Sequence, residues 1–298
     1  MNDFKYENLN LVSVTYNSQS VIADFISSCL NQTYTDWQLY IIDNASTDNT
    51  ISIIQSFNDS RITLLPQSIN LGFAVATNIG INLALANNAQ FILLINNDTV
   101  FSPDLFRKLL DGMFIQSIDM VVPKIFYHQP ANKLWYAGGY FDYWQAMKTV
   151  MIGEGALDDG KYDINKIVKF APMCCVLFRA DLFQNDSVGL LDEKYFVYFE
   201  DADWMHKAGL LGKKLLYFPV AVLYHKVSSL TGGMNSKFAI SQFYQNRVYF
   251  IRKNFAGLRQ MFYLLQVIIE PIFRCCFGKY KFNTLAFRLY NIWLGFLK

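Results

Sequence analysis

The chain has 298 residues, a formal net charge of +2 at pH 7 and a hydrophobic share of 53%. A share this high can offset the conformational entropy lost on folding, so a disordered chain is excluded. The near-neutral charge balance argues against a nucleic-acid-binding protein, which needs a concentrated basic face. The five cysteines are odd in number and form no CxxC motif, so they predict reduced core thiols in a cytosolic protein rather than a disulfide framework or a zinc site.

The first hundred residues alternate apolar strand-like runs with helical patterns. The predicted strands are Leu9–Tyr16, Trp37–Asp43, Arg61–Pro66 and Gln90–Asn96, and the predicted helices are Gln19–Asn31, Thr47–Phe57 and Gly72–Asn87. This order predicts an α/β fold with a mostly parallel sheet that is covered by helices on both faces. Ligands of such sheets bind beyond the carboxyl ends of the strands, which here are Thr15–Asn17, Asp43–Ser46 and Asn96–Thr99.

The sequence pattern in the rest of the chain is less regular. Residues from about 119 to 160 show little periodicity and predict short mixed strands and loops. A strand at Cys174–Arg179, a helix beginning near Glu200 and a strand pair around Lys214–Lys226 follow, and the pattern is helical from about Ser236 to Lys298. The longest late apolar stretch is interrupted by polar residues and a proline, so we expect no transmembrane helix.

Asp43 stands where an apolar strand ends, beside the polar motif Val14–Ser18 at the end of the strand before it. An ionised carboxylate in this place can accept a charge-assisted hydrogen bond from the N3–H group of a pyrimidine base. The alternative is local, because Ser46, Thr47 and Asp48 also fit the start of a helix.

Gly72 allows a close backbone turn before the next predicted helix, within the segment Asn70–Ile81. From that helix Asn78 can reach back toward the same pocket. The signal is weak on its own, because any turn from a strand to a helix can carry a glycine.

An apolar strand delivers the polar triplet Asn96-Asn97-Asp98 to the sheet edge. Asp98 is the candidate ligand for Mg²⁺ or Mn²⁺, which would stabilise a departing diphosphate; the alternative is an Asx-turn that closes the strand. His225 follows another apolar strand and precedes a loop of Ser, Thr and Gly residues that could wrap a diphosphate, so it is either a second metal ligand or a structural histidine.

Three acids, Glu200, Asp201 and Asp203, follow an aromatic run in the motif FVYFEDADW. They fit the first turn of a helix, whose dipole favours negative charge. They equally fit a general base that is presented to an acceptor hydroxyl.

Taken together and in order, the motifs VTYN, IIDNASTD, LGFA, LLINNDT, FVYFEDADW and YHKVSSLTGG resemble glycosyltransferase family 2, particularly its bacterial rhamnosyltransferase-like branch. The resemblance covers residues 12 to about 233 and implies a GT-A fold, a nucleoside-diphosphate sugar as donor and transfer with inversion at the anomeric carbon. A change in composition near residue 235 divides the chain into a catalytic part at residues 1–235, with a nucleotide-sugar half at about 1–100 and an acceptor half at about 101–235, and a helical basic extension at 236–298.

The resemblance also implies the roles of the candidate residues. The donor-binding set is Thr15, Asn17, Asp43, Asn70, Gly72, Asn78 and Asn97; the metal ligands are Asp98 and His225; the catalytic base is Asp201, with Glu200 as the alternative. Asn96 stands where the family motif DxD has its first acid, which predicts weaker binding of Mn²⁺ or Mg²⁺ that depends on bound donor.

The partners and place of action remain partly open. The donor is dTDP-rhamnose or a UDP-sugar, and the acceptor is a glycan or a lipid-linked sugar in bacterial surface polysaccharide synthesis. From residue 241 onward the chain has nine basic residues and one acid, which suits peripheral contact with an anionic membrane at the cytoplasmic face or packing on a subunit of a homo-oligomer. The alternatives are a non-catalytic sugar-nucleotide-binding or assembly protein and a nucleotidyltransferase, although the latter lacks a Gly-rich basic loop after the first strand.

Overall fold

The computed structural model describes residues 8–115, 118–226, 236–278 and 281–298. The strands are β1 (Leu9–Thr15), β2 (Trp37–Asp43), β3 (Ile62–Pro66), β4 (Phe91–Ile95), β5 (Thr99–Phe101), β6 (Met120–Tyr127), β7 (Leu134–Tyr136), β8 (Gly139–Asp142), β9 (Lys148–Met151), β10 (Lys166–Val168), β11 (Cys175–Arg179) and β12 (Leu215–His225). The helices are α1 (Ile22–Leu30), α2 (Thr50–Ser56), α3 (Phe73–Ala86), α4 (Leu105–Met113), α5 (Glu200–Leu210), α6 (Lys237–Asn254), α7 (Gly257–Cys276) and α8 (Phe282–Gly295).

One large mixed sheet organises the molecule. Its order is β10-β12-β6-β11-β4-β1-β2-β3, with β5 paired to β12 and β7 to β6, while β8 and β9 form a separate hairpin. The half that contains β4, β1, β2 and β3 is parallel, because its strands are joined by helical crossovers. Strand β11 joins the two halves in antiparallel pairing with both β4 and β6. The carboxyl ends of β1, β2 and β4 therefore meet at one edge.

The predicted α/β fold with a mostly parallel sheet, flanking helices and a helical C-terminal extension is confirmed. In the central strands β1 and β4 nearly every side chain is buried, which matches the continuous apolar runs of their sequences. Helices α1 and α4 each bury one face against this sheet.

The predicted strand pair around Lys214–Lys226 is wrong, because the structure has a single strand, β12, of 11 residues. Its pairing with β6 shifts register between Phe218 and Val222. Pro219 lies in that interval and has no N–H to donate to the ladder, so the strand bulges instead of ending. His225 is thereby carried to the end of the same strand.

Helices α6, α7 and α8 pack on one another at the C-terminal end of the chain. α6 is the most deeply embedded, and it places Tyr244, Val248, Phe250 and Ile251 in the core. Within the described part of the chain, no helix combines the length and the hydropathy that a membrane-spanning segment needs. The predicted boundary near residue 235 stays a prediction.

Candidate functional site

Asp43 ends β2 and is completely buried. Its Oδ1 accepts hydrogen bonds from Thr15 Oγ1 at 2.9 Å and from Ser46 Oγ at 2.5 Å, and its Oδ2 accepts from the Ser46 N–H at 2.8 Å. The neighbouring Asn17 has a positive φ of 50° and accepts from the Thr47 N–H at 2.8 Å. The end of β1 and the loop after β2 are thus one hydrogen-bonded unit. The predicted contact of Asp43 with a pyrimidine base stays a prediction.

The loop before α3 is fastened to this unit by Asn44, which the sequence did not single out. The Asn44 side chain donates to the Gly72 carbonyl at 3.1 Å and accepts from the Leu71 N–H at 3.3 Å. Asn70 accepts from the Gly72 N–H at 2.9 Å and so forms the turn. Ser46 also differs from expectation, because α2 begins only at Thr50 and Ser46 contacts Asp43 rather than capping a helix.

Gly72 is required by geometry. Its φ is +83°, and a Cβ at this position would lie 2.5 Å from the carbonyl oxygen of Phe196. The next residue, Phe73, donates its N–H to that same oxygen at 2.6 Å. The turn after β3 therefore contacts the backbone that leads into α5.

Asp98 and His225 come together as the sequence predicted. Residue Thr99 pairs with His225 across β5 and β12, and the His225 Nε2 lies 3.1 Å from the Asp98 Oδ1. Asn97 donates to the Val14 carbonyl at 2.6 Å, while its buried Oδ1 has no hydrogen-bond partner among the described residues. A carboxylate, an imidazole and an amide oxygen are ligand types that suit Mn²⁺.

Two further residues surround His225. The ring of Trp135 stands edge-on to the imidazole with centroids 4.4 Å apart. Burial of His225 lowers its pKa, but Cys174 and Asp98 outweigh burial and raise that pKa to about 10. Burial also raises the pKa of the Cys174 thiol. A metal ligand must be a neutral imidazole, so a cation bound here displaces a proton.

The donor set fits a divalent cation only in part. Among the described residues no three His, Cys, Asp or Glu side chains converge on one point. Asp98 and His225 can supply two ligands, and phosphate oxygens and water would have to supply the others. The expectation, from Asn96, of a metal site that depends on bound donor stays a prediction.

The acidic pair at the start of α5 has two distinct environments. Glu200 is 7% exposed, and its Oε2 is buried without a hydrogen-bond partner among the described residues. Burial raises the pKa of Glu200 well above its ordinary value, and the charge of Asp201 raises it further. Burial also raises the pKa of the more exposed Asp201, to about 6, although backbone N–H groups, including that of Ala202 at 2.7 Å, lower it. Both carboxyl groups therefore bind a proton more readily than free carboxylic acids do.

Asp203, the third acid of the motif, is structural. Its carboxylate is buried and accepts from Lys253 Nζ at 2.6 Å and from Asn254 Nδ2 at 2.7 Å. These contacts fix α5 to the end of α6. The environment of Asp203 thus differs from those of Glu200 and Asp201.

The segment that carries Asp98 and the acidic pair are linked across the sheet edge by hydrogen bonds that pass from one strand end to the next. The connection begins with Asn97 on the carbonyl of Val14, next to Thr15. It continues from the Asn44 N–H to the Thr15 carbonyl at 2.8 Å, from Asn44 to Gly72, and from Phe73 to Phe196. The edge therefore holds Asp98 and the segment before Glu200 in one framework.

Asn78 is used differently from the sequence-based expectation. It is 2% exposed, donates to the Leu191 carbonyl at 2.9 Å and to Glu193 at 3.1 Å, and accepts from the Leu191 N–H at 3.0 Å. These contacts give it a positioning role, because they hold the segment before the acidic motif against α3. Its place around a nucleoside stays a prediction. The predicted Ser, Thr and Gly loop after Lys226 lies outside the described residues.

Comparisons with known proteins agree with this architecture. The family model described as "Glycosyl transferase family 2" matches residues 11–185. An Escherichia coli UDP-Glc:alpha-D-GlcNAc-diphosphoundecaprenol beta-1,3-glucosyltransferase is 34% identical over 113 residues, which are 38% of this chain and 44% of that protein. An N-acetylglucosaminyl-diphospho-decaprenol L-rhamnosyltransferase of Mycobacterium tuberculosis is 28% identical over 247 residues, which are 74% of this chain and 77% of that protein.

Among solved structures, GalNAc-T7 with UDP, GalNAc and Mn²⁺ is similar with a TM-score of 0.69 at 15% identity, over 97% of this chain and 55% of that one. At this identity the likeness concerns the fold, which is the GT-A fold. The matched stretches span under half the length of the Escherichia coli relative. The family model covers more than half of the residues of this chain, so the chain belongs to glycosyltransferase family 2.

Proposed function

We propose that the chain is an inverting glycosyltransferase that moves a sugar from a pyrimidine nucleoside-diphosphate sugar to a hydroxyl of a glycan or lipid-linked acceptor. The observation that carries the proposal is the hydrogen-bonded edge that joins Asp98 and His225 to the backbone before Glu200 and Asp201. One end of this edge suits a diphosphate with its cation. The other end offers a carboxylate that is ionised at neutral pH.

The reaction is a single displacement. The acceptor oxygen forms a bond to the anomeric carbon as the bond from that carbon to the diphosphate breaks, and Asp201 takes the proton of the acceptor hydroxyl. Asp201 suits this role better than Glu200, because it is the more exposed of the two and carries the charge. Attack on the face opposite the leaving group inverts the anomeric configuration.

Asp98 and His225 would hold Mn²⁺ or Mg²⁺. Such an ion supplies positive charge that stabilises the departing diphosphate. His225 favours Mn²⁺, because imidazole is a poor ligand for Mg²⁺. Trp135, edge-on to His225, is the nearest large aromatic ring to this pair among the described ring contacts.

The test is a thermal-shift panel of UDP-glucose, UDP-GlcNAc, dTDP-rhamnose and, as a purine control, GDP-mannose, each with and without Mn²⁺. Ligand that binds the folded state raises the melting temperature by mass action. We expect a shift with one pyrimidine donor, dependent on Mn²⁺ and absent from Asp98→Asn. NMR of the transferred sugar then decides inversion against retention, and a purified donor complex that never turns over would favour the non-catalytic alternative.

The acceptor is proposed to be lipid-linked because α7 has an apolar outer face suited to a membrane surface. Its exposed residues recur at helical spacing over about 30 Å, given 20 residues at 1.5 Å each: Leu258, Met261, Phe262, Leu265, Ile269 and Phe273. Gln266 on this helix donates to the carbonyl of Trp144, whose side chain is 82% exposed. The single acid of residues 236–298, Glu270, is paired with Arg247 and Arg274, so the extension is strongly basic.

We expect the protein to float with vesicles of anionic lipid and not with vesicles of zwitterionic lipid alone, as an enzyme at the cytoplasmic face of the inner membrane would. The double variant Leu265→Glu, Phe273→Glu should remove flotation. Ile164→Glu, at an equally exposed apolar position outside the helices, is the matched control. Loss of a dimer in the double variant, with no flotation of the parent protein, would instead assign this face to a second copy of the chain.

A further inference from the structure

The backbone immediately before the acidic pair is strained. Tyr198 and Phe199 have φ values of 68° and 77°, in the left-handed region that bulky side chains rarely adopt. Such a conformation persists only where surrounding contacts impose it. Because Phe199 directly precedes Glu200, this strained turn sets the direction in which α5 begins and hence where Asp201 lies.

The contact that imposes this conformation comes from α6. Asn246 is completely buried, and its Nδ2 donates to the carbonyls of both Val197 and Tyr198 at 2.8 Å. Its Oδ1 accepts from Lys298 Nζ, so the amide is held in one orientation. One side chain thereby fixes the two peptide groups that lead into the strained turn.

Aromatic packing supports the same attachment. The Phe199 ring contacts those of Phe243 and Phe250, with centroids 5.3 and 5.7 Å apart, and these residues lie three before and four after Asn246 on the same face of α6. On the opposite side, the carbonyl of Phe196 is held by Phe73. Residues 196–199 are therefore held both by the turn before α3 and by α6.

We propose that Asn246 is a positioning residue that holds Asp201 in place through the strained Tyr198–Phe199 turn. The inference rests on the proposed role of Asp201 as the base. Asn246 touches no reacting group itself; its effect passes through the carbonyls of Val197 and Tyr198. A side chain of the helical extension, Asn246, thus positions the proposed catalytic base.

The test compares Asn246→Ala and Asn246→Asp with Asn291→Ala. Asn291, on α8, is a matched control: it is 2% exposed and its amide makes three hydrogen bonds, to Ser241, Gln245 and Phe287, none of them to the acidic segment. Asn246→Asp keeps the shape and the acceptor of Asn246 but removes both donors. If the alanine variant does not fold, Asn246→Ser, which keeps one donor, replaces it.

The assay is release of nucleoside diphosphate from the donor found in the panel, with a synthetic GlcNAc-diphospho-lipid as acceptor. We expect kcat to fall roughly 10- to 100-fold in both Asn246 variants with the donor KM nearly unchanged, since a displaced base affects the chemical step. Asn291→Ala should lose thermal stability but keep kcat. Hydrogen exchange of residues 196–201 should accelerate only in the Asn246 variants.

The inference is overturned if kcat falls no further in Asn246→Ala than in Asn291→Ala, or if exchange of residues 196–201 is unchanged. Failure of the proposed function gives a different pattern. Asp201→Asn would then keep its turnover, whereas the exchange experiment would still report whether Asn246 holds the turn. The two failures are therefore separable.

Discussion

Replacing Asp201 by asparagine should stabilise the protein at neutral pH while removing its turnover. Burial raises the pKa of Asp201 from its ordinary 3.8 to about 6 in the folded protein. The folded state thus binds more protons than the unfolded state between these values, and stability falls as pH rises through that window. The difference between these two pKa values corresponds to at most about 3 kcal/mol, which is the free-energy cost of keeping Asp201 ionised in the folded protein.

An asparagine side chain carries no charge at any pH, so Asp201→Asn avoids this cost. Urea denaturation should show the two proteins similarly stable at pH 4, with the variant gaining up to about 3 kcal/mol by pH 7.5. Turnover should fall roughly 10²–10⁴-fold, as for loss of a general base. In the parent protein, turnover should rise with pH as Asp201 loses its proton near pH 6.

Asp192→Asn is a control of opposite sign. Although burial raises the pKa of Asp192, hydrogen bonds from Lys253 at 2.7 Å and Tyr249 at 2.8 Å outweigh burial and lower it. This variant should therefore lose stability at pH 7.5 and approach the parent at low pH. The reasoning is refuted if Asp201→Asn is less stable than the parent at pH 7.5, or if its advantage does not depend on pH.

Two further predictions concern the proposed donor side of the sheet edge, at Asn96 and at Gly72. Asn96→Asp should tighten Mn²⁺-dependent donor binding, because it adds a charged oxygen ligand, and calorimetry with UDP should show the opposite change for Asp98→Asn. Gly72→Ala should destabilise the fold by roughly 1–3 kcal/mol and weaken donor binding, because it adds a clash with the Phe196 carbonyl to the strain at positive φ. Gly155→Ala shares the positive φ but meets nothing within 4 Å, so thermal unfolding should show a smaller loss and donor binding no change.

The parallel half of the sheet was predictable because each strand there is a continuous apolar run separated from the next by a helix. β2 was placed at its observed residues, and β4 within one residue at each end. In the mixed half β11 was placed within one residue, but β6 was not predicted as a strand of its own, although it is eight residues long and lies between β11 and β12. The pairing of β6 with β11 and β12 joins residues more than fifty positions apart. β5, β7 and β10 have only three residues each, too few to show a period.

Some residues of the candidate site could likewise be predicted from the sequence, and others could not. Asp98, His225 and Asp201 were recognisable because a charged side chain directly after an apolar run is costly unless it has a function or a partner. Asn44 was missed, because its role arises from loops that meet only in the folded chain. Asn246 lies inside a helical pattern, where one amide among charged and aromatic residues gives no local signal.

The contacts of α6 argue that the helical extension and the catalytic part depend on each other. Asn246 holds the turn before Glu200, and Lys253 and Asn254 hold the buried Asp203 within α5. Each of these bonds joins a residue after 235 to the acidic motif. α7 is different, because its outer face is apolar and exposed while α6 is fastened to the motif. We therefore propose two functions on two helices: α6 sets the geometry of the proposed base, and the outer face of α7 contacts a partner such as the proposed membrane surface.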